Sequence, residues 1–321
     1  MKNTLRVLFV TLLVGVAACI TTTAAFAETQ TVQPAPNPTI RIKIGTALEE
    51  NLFTANGNFV VENSAGDRLL DVAKGETASV RYADGIYTVV ANGITKTSDS
   101  AIRVTAVKHK KTVEVLSYEN RPAWDTTIND NTFYGAIEVV YSNNSSVLLL
   151  VNDLGIERYV RGIAEAGNEN DADYLETLLT AARTYAWYNV LHPTKHAAEP
   201  YILDNSANDQ VYRGAGFTAR APHIAAAQHA TARKVITFED VVIVAPYFSQ
   251  SDGRTRSWGE VWGGDYTWAT SVPDPGCDGD TLSGHGVGLS AAGARYFAEQ
   301  GMHWQDILKY YYTGVEIVDG Y

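Results

Sequence analysis

Between Tyr159 and Tyr188 the apolar residues Leu175, Leu178, Leu179, Ala182 and Ala186 recur with a helical period, and Asn189 continues the register. The spacing predicts a long amphipathic helix. Asp173 with Glu176 three residues on has the form of a capping box, with Asp in place of Ser or Thr. Ala181, Ala182 and Ala186 are small enough for another backbone to pack close. The piece before this helix carries Glu165, Asn168 and Glu169 and is rich in turn formers.

Elsewhere the period is two. Ile40, Ile42 and Ile44 alternate with Arg41 and Lys43, and β-type runs follow at 59–61, 69–72, 78–82, 86–90 and 102–107. Asn56-Gly57, Ala65-Gly66, Asp84-Gly85 and Asn92-Gly93 mark the turns between them. Runs at 133–141 and 147–152 flank Asn143–Ser146 as a hairpin-like pair. A helix is expected over 221–233, then strands at 234–238 and 241–244, a helix ending at Gln300-Gly301, and a short helix from Trp304 to Tyr312 stopped by Gly314. Residues 257–264 hold three glycines, and no helix is expected there. The fold class is therefore α+β: a β-rich N-terminal region followed by a mixed α/β core.

The chain has 321 residues, 45% of them hydrophobic, enough for one large domain or two ordinary ones. A net charge of −11 argues against nucleic acid or an anionic membrane as partner. Lys2 and Arg6 precede an apolar run at 7–18 that is too short to span a bilayer, and Ala25-Phe-Ala27 has the small-x-small cleavage form. A signal peptide over 1–27 is expected, and hence an exported protein, extracellular or held at the cell envelope. A rival reading makes Val16-Ala-Ala-Cys19 a lipoprotein box, with Cys19 lipidated. The remaining boundaries are a Pro-rich linker over 28–39, a β-rich accessory region over 40–115 and a core over 116–321. After cleavage only Cys277 remains, so no internal disulfide forms, and its loop offers no neighbouring base.

Several groups have chemical potential. Arg183, in mid-helix, either snorkels to solvent or pairs with an acid in a cleft. His192 and His196 are four apart, but Pro193 follows the first and no Glu lies between them, so the metalloprotease pattern fails. A zinc hydrolase using His192, His196 and His285 has no convincing ligand spacing. Trp258, Trp262 and Trp268 either stack on sugar faces or pack in the core. Gly284-His-Gly-Val-Gly-Leu-Ser290 precedes a helix but lacks the lysine of a phosphate loop.

Four blocks, in order, carry a family resemblance. They are Tyr159-Val-Arg-Gly-Ile-Ala-Glu165 with Ala181-Ala-Arg-Thr-Tyr-Ala186; Gln210-Val-Tyr-Arg-Gly214; Tyr247-Phe-Ser-Gln-Ser-Asp-Gly-Arg-Thr255; and Gly284-His-Gly-Val-Gly-Leu-Ser290. Together with the Ile-Leu-x-x-Tyr-Tyr ending they resemble the SpoIID/LytB family of sporulation stage II protein D and amidase-enhancer proteins over about residues 117–317. The resemblance implies a SpoIID-like core with a cleft and a peptidoglycan lytic transglycosylase. Glu165 matches the family's catalytic glutamate, and Glu169 competes for the role. Arg183, Tyr185, Gln210, Tyr212, Ser251, Thr255, His285 and Ser290 are the implied substrate-binding residues. The implied partner is the peptidoglycan glycan strand. The alternative is a non-catalytic activator of a cell-wall amidase. Some relatives bind zinc near the cleft through a cysteine pair. This chain has no cysteine there, so no metal or other cofactor is expected. Asp252 stands where many relatives have Gly, and Ala291 and Ala292 replace Gln and Tyr.

Overall fold

The computed structural model describes residues 38–321. The expected signal peptide, the Cys19 alternative and the expected Pro-rich linker up to residue 37 lie outside the described residues. The described residues form one compact unit. The fold class is mixed α+β, with two large sheets, antiparallel but for one short parallel pair, built mostly from the N-terminal side and helices grouped in the second half.

The alternating isoleucines form the strand Thr39–Thr46, whose inward residues Ile40, Ile42 and Ile44 are buried. It lies inside a seven-stranded sheet, paired along its length with Val147–Gly155 and at one point with Leu203–Asp204. That sheet continues through Ala136–Ser142, Ile102–Ala106 and Phe59–Asn63 to Arg68–Val72. A six-stranded sheet runs from Thr132–Phe133 through Val113–Val115, Glu50–Ala55, Ala78–Ala83 and Ile86–Ala91 to Ile94–Ser98. Both sheets pool their inward residues, such as Phe53, Val80 and Val104, in one core that also takes in the helices. Strands from either side of residue 115 occur in each sheet.

The long helix is Ala172–Leu191. Its N-cap is Asp171, whose side chain accepts from the Asp173 amide. The expected Asp173 box does not form, because Asp173 instead accepts from the backbone N–H of Trp304 at 3.0 Å, tying in the helix Trp304–Tyr311. Leu175, Leu178, Leu179, Ala181, Ala182 and Ala186 are all buried, as their period demands. The helix expected over 221–233 is shorter, Pro222–Ala230, because Thr231 caps it and Arg233 turns left-handed. The strand expected to 244 stops at Val242.

Residues 258–262 correct the sequence expectation. Trp258–Trp262 is a short helix, started by a complete capping box between Ser257 and Glu260 and ended at Gly263 with φ of 74°. The paired cap outweighs the weak helical preference of its one interior glycine, Gly259. Among the described residues no helix is long and apolar enough to cross a membrane.

Candidate functional site

The turn after the helix Ile156–Arg161 brings Glu165 into the fold. Gly162 and Ala164 bond to the 211–213 strand-like segment: Arg213 N donates to Gly162 O at 2.9 Å and Ala164 N to Val211 O at 2.8 Å. This small ladder, a bridge between Ile163 and Tyr212, fixes the backbone leading into Glu165. Val211 N–H then donates to Glu165 Oε1 at 2.9 Å, and the Tyr247 hydroxyl donates to Oε2.

Behind Tyr247 stands a polar relay. Gln210 Nε2 donates to the Tyr247 hydroxyl at 2.9 Å and to Ala182 O at 3.1 Å. Gln210 Oε1 accepts from the Tyr159 hydroxyl at 2.9 Å. The Ala182 carbonyl sets which way the amide points, so the tyrosine proton is aimed at Glu165. Burial pushes the Glu165 carboxyl above its ordinary range, and the Tyr247 and Val211 hydrogen bonds pull against it.

Glu165 opens onto a cavity of about 780 Å³. Tyr174, Tyr185, Tyr247, Phe248, Trp258 and Trp262 give it aromatic walls, with Lys195, Asp209, His285 and Arg295 as its other ionisable groups. Trp262 is 46% exposed, while Trp268 is 5% exposed and belongs to the core. The indoles therefore divide between the two roles: Trp258 and Trp262 line the cavity and Trp268 supports them from behind at 5.9 Å from Trp258.

The Gly-rich loop delivers His285. Gly284 and Gly288 have φ of 105° and 77°, and a Cβ there would lie 2.8 Å from Phe248 Cβ and 2.1 Å from Pro246 O. Only glycine lets this loop run so close to the Tyr247–Phe248 strand, with which Leu289–Ser290 pairs in parallel. Val287 N–H donates to His285 Nδ1 at 3.0 Å, which leaves the ring proton on Nε2. Burial pulls the imidazole pKa down, so the ring is neutral near pH 7. It lies tilted at 54° against Trp262, ring centres 4.9 Å apart, and shares the cavity with Glu165 without being its hydrogen-bond partner.

The remaining residues singled out from the sequence fall into two groups. Tyr185 lines the cavity and donates to Asp209 Oδ1 at 3.1 Å. Gln210 and Tyr212 are buried behind it, Tyr212 bonding Asn152 Oδ1 at 2.9 Å. Arg183 is wholly buried and does not reach the cavity; Glu157 receives its Nε at 3.0 Å and its Nη2 at 3.1 Å. The three hydroxyls expected to face sugar are scaffold. Ser251 donates to Asp274 at 2.6 Å, Thr255 accepts from Val272 N at 2.9 Å, and Ser290 caps the helix Ala291–Glu299. Cys277 is buried beside Ser290, and burial pushes its thiol up. Glu169 is exposed and bonded to Asn168.

Tyr247, Tyr174, Lys195 and Arg295 were not among the expected site residues. Tyr247 stood inside a quoted block, directly before the hydroxyls chosen instead. Arg295 had a weaker signal: it lies one helical turn beyond Ala291.

His196, Asp204 and Asp209 bring ligand atoms within 4.8 Å of one another. Their chemistry does not fit a zinc ion. Asp209 Oδ1 accepts from Lys195 and Tyr185, and Oδ2 accepts from His196 at 2.8 Å and Asp204 N at 2.7 Å. All its lone-pair positions are taken, and an ammonium already stands in the cluster. Burial pushes the Asp209 carboxyl up, but Lys195, His196 and the Asp204 amide more than offset it and hold it below its ordinary range.

Residues 144–238 match the family model SpoIID, stage II sporulation protein. A stretch of 111 residues is 33% identical to an uncharacterised protein of Brachyspira hyodysenteriae, covering 32% of this chain and 29% of that protein. Over 34 residues the chain is 62% identical to stage II sporulation protein D of Bacillus amyloliquefaciens, covering 11% of this chain and 10% of the relative. The chain thus spans less than a third of the length of either relative. The family match takes in Glu165, the long helix and Gln210, and ends before Tyr247 and His285.

Proposed function

From the stage II sporulation protein domain carried across residues 144–238, we propose that this protein is a lytic transglycosylase of the cell envelope. Its substrate is the peptidoglycan glycan strand and its acid/base is Glu165. The observation that carries this reading is the state of Glu165. It is a carboxyl raised by burial, opening on a large aromatic cavity and held by two fixed donors. Asp209, the other carboxyl on the cavity wall, is held ionised by Lys195 and His196. Environments that push two carboxyls in opposite directions separate an acid from a structural anion.

Each oxygen of Glu165 accepts one hydrogen bond and keeps a second lone-pair position for the acidic proton. That proton passes to the oxygen joining muramic acid C1 to the next sugar, and the C1–O bond breaks. The carboxylate left behind is stabilised by the same two donors, Val211 N–H and Tyr247 O–H. It then takes the proton of the muramic acid C6 hydroxyl as O6 bonds to C1. The product is a 1,6-anhydro end, Glu165 is protonated again, and no water is consumed. One carboxyl suffices, unlike the paired carboxyls of the glycoside hydrolases. The indole faces of Trp258 and Trp262 suit the apolar faces of the sugar rings.

The test uses the wild-type chain and a Glu165→Gln version on amidase-stripped glycan strands, with anhydro-muramic ends read by mass spectrometry. Wild type is expected to make product, and the variant at least about 100-fold less, the usual weight of a positioned general acid. Equal product from both removes Glu165 from the role. No product from either, with glycan still bound, overturns catalysis in favour of an amidase activator.

A further inference from the structure

We propose that a hollow formed by three turns of the β-rich half, with Lys74, Lys108 and Lys111 on its rim, binds the phosphate groups of a polyol-phosphate polymer. The site shares no residue with the Glu165 cavity and does not depend on the reaction proposed there.

The first observation is how the turns are joined. Asn56–Asn58 links the strands Glu50–Ala55 and Phe59–Asn63, residues 73–77 follow Arg68–Val72, and residues 107–112 follow Ile102–Ala106. Two asparagine side chains stitch them together. Asn56 Oδ1 accepts from Thr112 N–H at 2.9 Å, and Asn58 Oδ1 accepts from Lys74 N–H at 3.1 Å. Backbone bonds reinforce both joints: Asn56 N–H donates to Thr112 O at 3.2 Å and Val107 N–H to Asn58 O at 2.9 Å. Lys111 N–H donates to Lys108 O at 2.7 Å and closes the third turn. The stem of Lys111 lies across Gly57, where a Cβ would come within 2.8 Å of Lys111 Cγ. The space between the turns is about 270 Å³.

The second observation is which polar groups this stitching leaves over. Each asparagine commits its Oδ1 to a backbone amide, so its Nδ2 is the end left open, and neither Nδ2 has an acceptor among the described residues. The three lysines add ammonium donors, and no Asp or Glu lines the hollow. Glu76, the acid of the second turn, is taken up by Ala73 N–H at 3.0 Å and Asn92 Nδ2 at 2.7 Å. The side chains around the hollow therefore offer donors and no acceptor. That suits an anion and excludes a cation.

The third observation is where the unpaired lysines are. Lys195, Lys234 and Lys309 stand in ion pairs, and Lys43 lies over the Tyr201 ring. Lys74, Lys108 and Lys111, with Lys110 on the same turn, make no ion pair with any described residue. Like charges thus gather in one corner of a chain whose net charge is −11. A phosphate group relieves their repulsion, since it brings negative charge and several acceptor oxygens, and lysine meets it as a point charge. Val107, 58% exposed, adds an apolar wall that suits the carbon chain between successive phosphates. A recess admits a chain where a flat bilayer does not enter, and the net charge repels an anionic membrane.

Binding is measured on the full-length chain by titration calorimetry. The probes are a glycerol-phosphate oligomer, inorganic phosphate, a polyglutamate of equal charge and vesicles of phosphatidylglycerol. The variants are Lys74→Ala, Lys108→Ala, Lys111→Met and the three combined. Lys111→Met keeps an apolar stem over Gly57 and removes the charge. Lys96→Ala is the control, because Lys96 does not line the hollow. Each single variant is expected to bind the oligomer about two- to fivefold more weakly, the weight of an exposed charge pair, and the combined variant at least about tenfold more weakly. Lys96→Ala and Glu165→Gln are expected to bind it as wild type does, and added salt to weaken binding by wild type. An unchanged thermal transition in each variant shows the loss to be one of binding. No binding of the oligomer by wild type overturns the proposal, as does full binding by the combined variant or an equal loss in Lys96→Ala. Polyglutamate held as tightly as the oligomer reduces the site to general charge attraction and overturns it too. Vesicles held with the same lysine dependence replace the polymer with a lipid headgroup, and inorganic phosphate held as tightly as the oligomer replaces it with the free ion. None of these outcomes bears on Glu165, whose role is read from anhydro-muramic ends.

Discussion

At Glu165 two opposing influences meet, and each can be removed separately. Burial raises its pKa, while Tyr247 and Val211 hold it down. An acid that must start protonated loses activity as pH rises through its pKa. Tyr247→Phe deletes one donor to the carboxylate, so the alkaline limb of kcat/KM should move to higher pH, with a lower plateau because the acid is less well oriented. A limb that stays put or moves down would break the link between Tyr247 and the acid. Stability carries the same sign. A carboxyl raised in the fold contributes most below its unfolded pKa and loses that contribution as pH rises through the folded value. The thermal stability of Glu165→Gln relative to wild type should therefore improve from pH 4 upward. Glu165 was singled out through the resemblance carried by the Tyr159–Glu165 and Ala181–Ala186 blocks, with Glu169 left as the competing acid until the fold placed it outside at the surface. Tyr247 was not, because its meaning depends on a partner 82 residues away. Ser251, Thr255 and Ser290 were read as facing sugar because a hydroxyl in a Gly-rich turn looks the same whether it meets a ligand or caps a neighbour.

The long helix is held at its middle by a buried ionic knot. Burial pushes Glu157 up, but Arg183 and hydrogen bonds from Tyr321 and the Arg233 amide more than offset it, leaving its carboxyl low. Gln228 also binds this carboxylate, and the Gln228 carbonyl accepts from Arg183 at 3.3 Å. The knot joins Ile156–Arg161, Ala172–Leu191, Pro222–Ala230 and the C-terminal residue. Arg183→Ala should cost about 3–5 kcal/mol, the range for stranding one member of a buried pair. Urea unfolding would read it, and a loss below about 1 kcal/mol would show the pair to be ornamental. The sequence left two fates open for Arg183, and pairing with an acid is the one observed, inside the fold and away from the cleft. Periodicity placed the helix itself. Its pattern of six buried positions leaves little freedom, whereas the five-residue helix at 258–262 has no period to read and shows only in its capping box.

Across the whole molecule the two large sheets draw strands from both sides of residue 115. Thr39–Thr46 is enclosed between Val147–Gly155 and Leu203–Asp204, and Val113–Val115 pairs with Thr132–Phe133. A chain starting at 116 would leave Val147–Gly155 and Ala136–Ser142 with unpaired edges and an uncovered apolar face. Expressed alone, residues 116–321 should lack a cooperative thermal transition and bind a hydrophobic dye. A sharp transition would instead show that the second segment folds by itself. Alternation and turn residues announced most of these strands, but pairing order is long-range and is not written in any local window.

The buried carboxyl has a consequence in time as well as in space. The strength of the acid at 165 is made by its surroundings: Val211, Tyr247 and the cavity walls arrive from distant parts of the chain. An unfolded polypeptide carries only an ordinary glutamate at this position, ionised at neutral pH, with no proton to give. The reactive group therefore comes into being only when these long-range contacts form. On the reading proposed for this site, a chain in transit is harmless to the wall it is meant to cut, and needs no separate inhibitor to keep it so.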